Sequence, residues 1–196
     1  PFLTLSINSN LSVDQDKWDP FLQGVLDLEK KKSLRHFYLH PSLDCLTERA
    51  EYIRHGLKIE KLKANVESYL EKSSSHLIFI CTMNNLSLAG LLDYWHYLLD
   101  LKKTFYKKGR KISLTTEILK NPNWLNINIL PENFKNYIDE TISFVKSHMD
   151  DEGRGFNKVE LHGLEKAKAS LLSEAENPKR SKEDFFRFIN ELSLIH

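Results

Sequence analysis

Short apolar runs alternate with longer amphipathic stretches over the first two thirds of the chain. Four runs have the composition of β-strands, at residues 2–7, 34–39, 76–81 and 112–118. Between the second and third runs, Ile59, Leu62, Val66 and Leu70 recur at helical spacing, and similar faces follow the other runs. Strands that alternate with helices of this length predict βαβ units and a parallel sheet with right-handed crossovers.

Details of the pattern predict how individual elements begin and how they are buried. Residues 76–81, HLIFIC, are uninterrupted apolar residues, a pattern typical of a strand buried on both faces. The first helix is expected to begin with Asp19 as its N-cap and Pro20 at its first position. Residues 42–58 are expected to form a long polar connection, and residues 124–131, WLNINILP, another short extended piece.

The last third of the chain has a helical pattern throughout. Asn157 and Glu160 are spaced as a capping pair, and a final helix is expected to begin at Ser181. The predicted organisation is therefore an α/β part over residues 1–131 and a helical region over residues 132–196.

Charge and cysteine content restrict the class of protein. Lys plus Arg number 28 and Asp plus Glu number 27, so nucleic acid and anionic membranes are not expected as partners. No apolar run approaches the roughly 20 residues that span a bilayer. Two cysteines, Cys45 and Cys81, are too few for a disulfide scaffold, which favours a reducing, cytoplasmic location.

Basic clusters occur at residues 30–32 and 107–111, where helices are expected to end. Cations at these positions complement the helix dipole, and we favour this interpretation. A phosphate-binding patch is the alternative.

Polar side chains follow three of the predicted strands. They are Asn8, Ser9 and Asn10; Ser42 and Asp44; and Thr82, Asn84 and Asn85. Parallel strands bring such groups to one edge of the sheet, where they suit a polar ligand with hydroxyl and carboxylate groups. Any one of these residues is more often part of a turn, so the repetition is what favours a site.

Four segments resemble the radical S-adenosylmethionine (SAM) enzymes, specifically the twitch-domain group: SINSNL, SLDCLTERAEYIRHG, CTMNNLSLAGLLDY and NPNWLNINILPENFK. The resemblance implies a partial (βα)6 TIM-like half-barrel, of which this chain holds the third to sixth units. It also implies a 4Fe-4S cluster on a CxxxCxxC loop, SAM bound to that cluster, and a 5'-deoxyadenosyl radical that abstracts hydrogen. The partners implied are an electron donor and an unidentified small-molecule or peptide substrate.

The resemblance assigns SAM contacts to seven residues: Ser42, Arg54, Asp44, Asn8, Asn10, Ile129 and Leu130. Ser42 and Arg54 are expected at the methionyl part of SAM, since a guanidinium offers paired donors to a carboxylate. Asp44 and the two asparagines are expected as secondary polar contacts. The segment before Pro131 is expected to lie against adenine.

The chain also departs from the family pattern. With only Cys45 and Cys81 it has no CxxxCxxC, and it has no GGE-type motif. We therefore interpret it as a fragment that lacks the first two βα units, with cluster ligands outside this chain, and expect it to be inactive alone. Its open first edge is expected to cause self-association. The alternative is a cluster-free α/β module that binds a nucleotide-like ligand or a protein partner.

Overall fold

Strands and helices alternate in the first part of the chain, and helices alone follow the last strand. The computed structural model describes residues 2–150 and 152–193, so the end of the predicted helical region, residues 194–196, lies outside it. The elements are β1 (Thr4–Ser9), α1 (Gln15–Lys30), β2 (His36–Pro41), α2 (Glu48–Ile53), α3 (Ile59–Lys72), β3 (His76–Met83), α4 (Leu91–Tyr106), β4 (Ile112–Ile118), α5 (Lys135–Ser147), α6 (Lys158–Leu171) and α7 (Pro178–Ser193).

The four strands form one parallel sheet in the order β1-β2-β3-β4. The register aligns Ile7 with Leu39, Leu39 with Leu77, and Leu77 with Ile112. The prediction of an α/β fold with a parallel sheet is therefore confirmed. Strands are added in one direction, and right-handed crossovers then place the connecting helices on the same face.

That face of the sheet holds the hydrophobic core. Leu39, Leu77 and Phe79 are fully buried and belong to one cluster with helix residues such as Leu62 and Tyr94. Residues of the opposite face are half-buried or exposed, and we call it the uncovered face: Ser6, Asn8, Tyr38, His40, Ser42, His76, Ile78, Ile80, Thr82, Ser113, Thr115 and Glu117. The prediction that residues 76–81 are buried on both faces is wrong, because no helix layer covers this second face within the described residues.

Two helices begin earlier than predicted. Helix α1 starts at Gln15, so Pro20 lies inside it, on the exposed side. Only 1% of Trp18 is exposed. Burial of this large side chain favours helix over residues 15–18, which precede the start predicted from Asp19 and Pro20. Helix α7 starts at Pro178 rather than at Ser181, which is buried in its first turn.

Two connections contain helical turns that the sequence pattern did not predict. The polar connection after β2 includes α2, which buries Ala50. Residues 124–131 are not extended; they contain 3-10 turns at Asn123–Leu125 and Ile127–Ile129. The Asn126 side chain accepts a hydrogen bond from the Asn128 amide and so starts the second turn.

The free edge of β4 is closed by α6. The predicted capping pair forms, with Asn157 and Glu160 satisfying each other's backbone amides at the start of α6. Glu160 also accepts hydrogen bonds from the Leu114 amide at 3.0 Å and from Lys102 Nζ at 2.9 and 3.0 Å. Both charged side chains are at most 3% exposed, so this ion pair links α4, α6 and the sheet edge in the interior.

We predict that Lys102→Met destabilises the protein by about 3–5 kcal/mol, because it leaves a buried carboxylate without its counter-charge. Urea denaturation measures the free energy of unfolding. Lys103→Met, at an exposed neighbouring position, is the control and should change that free energy by less than about 0.5 kcal/mol. Equal effects of the two substitutions would contradict the assigned role.

Within the described residues, no strand pairs with the opposite edge of the sheet, along β1. The Ser42 amide donates to the Ser9 carbonyl, so the odd-numbered residues of β1 face β2. By the alternation of the strand, the backbone groups of Thr4, Ser6 and Asn8 face outward. No charged residue occurs before Asp14, so this edge lacks the charges that commonly prevent edge-to-edge pairing.

We therefore expect concentration-dependent self-association of this chain through β1, measured by sedimentation velocity. Ser6→Pro should reduce it, because proline removes an outward-facing N–H and leaves the β1–β2 hydrogen bonds in place. Ser6→Ala keeps the N–H and should associate as the parent chain does. A parent chain that stays monomeric at high concentration would rule out this expectation.

Candidate functional site

The uncovered face is polar towards the C-terminal ends of the strands. The register aligns Asn8 with His40 and Thr82 with Glu117, and Ser42 continues β2 in a bridge with Ile80. In parallel α/β sheets, ligands bind outside the carboxyl ends of strands. This part of the uncovered face is therefore the candidate functional site.

Ser42 is held on this face by its neighbours in the chain. Its amide donates to the Ser9 carbonyl at 2.9 Å, and the Leu43 amide donates to the Ile80 carbonyl at 3.0 Å. Leu43 is fully buried on the core side, so strand alternation directs Ser42 to the other side. Within the described residues, the side chains of Ser42 and Asn8 make no hydrogen bond and are available to a ligand.

Asp44 and Arg54 form a two-point ion pair beside Ser42. Arg54 Nε and Nη2 each lie 2.9 Å from an Asp44 carboxylate oxygen, and the Thr82 amide donates to the same carboxylate at 3.0 Å. Asp44 is 7% exposed at its side chain and Arg54 31%. Although burial opposes it, the hydrogen bonds and charge of Asp44 raise the pKa of Arg54. The guanidinium is thus fixed in place and keeps three N–H groups beyond those used by Asp44.

The other predicted contacts lie in different surroundings. Asn10 sits in a turn, where its side-chain oxygen accepts from the Ser12 amide at 3.0 Å. Ile129 and Leu130 line a surface depression with Leu171 and Pro178, at the end of α6 and the start of α7. The structure brings Asn8, Ser42, Asp44 and Arg54 to one edge, and it places the predicted adenine segment against the helical region.

Two amides at the end of β3 hold the backbone in place. Asn84 bonds to the backbone of Thr82 and Leu86, at 3.1 and 3.0 Å. Asn85 donates to the Trp124 carbonyl at 2.8 Å and so holds the segment that follows β4. Their roles are those of turn residues.

The sequence pattern missed His40 and Glu117 on the uncovered face. His40 precedes Ser42 by two residues and shares its side of β2, and burial lowers its pKa. Glu117 lies opposite Thr82 in the register. Because side chains alternate between the two faces of a strand, the sequence could have placed both residues on one face. It could not tell which face the helices cover.

Both cysteines are buried beneath the site. Burial raises the pKa of the Cys45 thiol to about 12, and burial also raises that of Cys81 well above its usual value. Cys81 Sγ donates to the Asp44 carbonyl at 3.4 Å. Gly90 lets the chain pass close to Cys45, since a Cβ there would lie 3.1 Å from the Cys45 Cβ. Cys45 and Cys81 are thus free, buried thiols.

We predict that neither thiol of the native protein reacts measurably with a disulfide reagent at pH 8, because both stay protonated and inaccessible. Absorbance of the released thiolate measures the reaction. The same assay in urea should detect two thiols per chain. Rapid labelling of the folded protein would show that the site opens to solvent.

Comparisons with protein-family models, with curated proteins and with solved structures found no match. In the described part of the chain, no group of three or more histidine, cysteine, aspartate or glutamate residues is arranged to hold a metal ion. The described helices include none with the length and apolar character required to cross a membrane.

Proposed function

We propose that this chain is the SAM-binding part of a radical SAM enzyme, with the cofactor on the uncovered face at the C-terminal ends of the strands. The observation that carries the proposal is the strand order β1-β2-β3-β4, with the core on one face only. Two of the four segments that carry the resemblance, SLDCLTERAEYIRHG and CTMNNLSLAGLLDY, meet at this edge, where the Thr82 amide donates to the Asp44 carboxylate.

Strand order supports a partial barrel over the other common parallel architecture. A doubly wound sheet reverses its strand order and carries helices on both faces. A βα barrel adds strands in one direction, with helices outside and ligands at the C-terminal ends. A sequential, one-sided sheet is what the third to sixth units of a (βα)6 half-barrel require.

The proposed roles follow from the contacts of each side chain. Ser42 and Asn8 bind the methionyl part of SAM directly, since their polar groups are not used within the described chain. Arg54 offers its remaining N–H groups to the SAM carboxylate. Asp44 acts through Arg54 as a positioning residue, because its oxygens already accept three hydrogen bonds. Ile129 and Leu130 stay the predicted adenine contacts.

The residues present do not fit a 4Fe-4S cluster. Three thiolates are required, and the chain has two cysteines, both fully buried. In this proposal the cluster ligands lie outside this chain. The substrate is an unidentified small molecule or peptide, and an electron donor is a further partner.

We predict that SAM binds this chain weakly and shifts the amide signals of Asn8, Ser42 and Thr82 in a two-dimensional NMR titration. Ser42→Ala should weaken binding by about tenfold, the effect of losing one hydrogen bond to a charged group. Ser143→Ala is the matched control, because Ser143 is exposed on α5 and should leave the affinity unchanged. Arg54→Ala is a poorer test, since it leaves the buried Asp44 without its partner.

SAM-induced shifts that are absent, or that survive Ser42→Ala unchanged, would refute the assigned site. Shifts at the Ile129 and Leu130 amides test the adenine contact separately. Adenosine and methionine, titrated alone, report which half of SAM each group of residues recognises.

The second candidate function is a cluster-free module for a nucleotide-like ligand or a protein partner. The bidentate pairing of Arg54 with Asp44 favours it, because the charge of Arg54 is already balanced without any ligand carboxylate. Under this alternative adenosine alone reproduces the SAM-induced shifts and methionine produces none. Under the radical SAM proposal methionine shifts Ser42 by itself.

A further inference from the structure

Two basic clusters that are far apart in the sequence meet at the N-terminal edge of the sheet. Lys32 follows α1, Arg35 precedes β2 and Lys111 precedes β4, and all three line one cavity of about 590 Å³. They meet because each crossover helix runs back along the sheet and ends where the next strand begins. This edge lies opposite to the candidate SAM site.

The three cations have no acidic partner in the described residues. Glu29 is the only acid among the described residues that line the cavity, and its carboxylate accepts from Ser73 Oγ at 2.6 Å and from the Ser75 amide at 2.9 Å. This carboxylate is thus satisfied by neutral donors of the α3–β3 connection rather than by Lys32, Arg35 or Lys111. The cavity keeps an excess of positive charge.

Other basic residues of this edge are already engaged. Lys108 pairs with Glu71, and Arg110 donates to the Leu70 and Glu71 carbonyls at 2.6 and 3.0 Å, at the end of α3. These contacts fit the interpretation that basic clusters complement helix ends. That interpretation does not extend to Lys32, Arg35 and Lys111, because their side chains donate to no helix carbonyl among the described residues.

Aromatic rings form one wall of the same cavity. His36 and Tyr38 stack with ring centroids 5.9 Å apart, and His76 packs edge-on against Tyr38 at 5.9 Å. His76 is fixed by a 3.0 Å hydrogen bond between its Nε2 and Ser113 Oγ. A planar ring bound beside the cations can stack on this wall.

We propose that this cavity binds a phosphate group carried by a small molecule with a planar ring, with Arg35 and Lys111 as the main phosphate ligands and Lys32 as a further cation. A guanidinium binds phosphate through paired donors, and lysine adds a point charge. The cavity volume is within the range of small-molecule sites, roughly 300–1,000 Å³. Tyr38 and His36 supply the surface for the ring.

The state of His76 is consistent with an excess of positive charge. Burial, followed by the charge of Lys111, lowers the pKa of His76 to about 4. The titratable or charged groups near this ring are Tyr38, Lys111, His40, Lys102, His36 and Glu29. A bound dianion favours the charged imidazolium and therefore raises the His76 pKa.

The test compares inorganic phosphate, ribose 5-phosphate and AMP by calorimetry on the full chain at constant ionic strength. Arg35→Gln and Lys111→Gln should each weaken AMP binding by about tenfold. Lys30→Gln is the matched control, since it removes the same charge from the end of α1 without lining the cavity. Dispersed NMR spectra establish that each variant is folded.

AMP binding tighter than that of ribose 5-phosphate supports the ring-stacking wall, and equal affinities reduce the proposal to a phosphate site. The proposal is overturned if no probe binds. It is also overturned if all three substitutions weaken AMP binding equally, because binding then depends on the overall charge of the protein and not on this cavity. An independent readout is the His76 pKa, which sulfate should raise; sulfate stays a dianion throughout the titration. These residues are absent from the SAM titration, so each proposal fails or survives separately.

Discussion

The handedness of βαβ crossovers is the constraint on which this structure depends. Strands added in one direction, with crossovers of one hand, place the connecting helices on one face of the sheet and leave the other uncovered. That single fact separates the buried core around Leu39 and Phe79 from the polar side that carries Ser42. It also brings helix C-termini, with their basic residues, to the edge opposite the strand ends. Both proposed sites are consequences of the same topology.

The two edges of the sheet differ in how their backbone groups are satisfied. At β4, the Glu160 carboxylate accepts hydrogen bonds from the Leu114 amide, the Lys102 ammonium and the Asn157 amide. These donors compensate the cost of burying its charge. Gly163 permits the close approach of α6, since a Cβ at this position would lie 2.8 Å from the Thr116 Cβ. The helical region thus closes one edge of the sheet. The uncharged strand β1 has no such cover among the described residues.

Local sequence patterns predicted the elements well where neighbouring residues alone determine the structure. The parallel sheet, the face of α3 beginning at Ile59, and the Asn157–Glu160 cap all follow from spacing that short-range physics sets. Predictions were wrong where a distant contact decided the outcome. An apolar run such as residues 76–81 looks the same whether one face or two are covered. The start of α1 depended on packing of Trp18, which outweighed the local preference of Pro20 for a first turn.

For the candidate site too, some features follow from the sequence and others only from the tertiary structure. The sequence by itself determined that hydroxyl and amide groups follow the strands, because polar residues end an apolar run, and it identified Ser42 and Asn8 among them. Only the tertiary structure decided that Ile129 and Leu130 pack near α7 and that the two basic clusters share a cavity. These outcomes depend on strand register and on contacts between residues far apart in the chain, for which local spacing carries no signal.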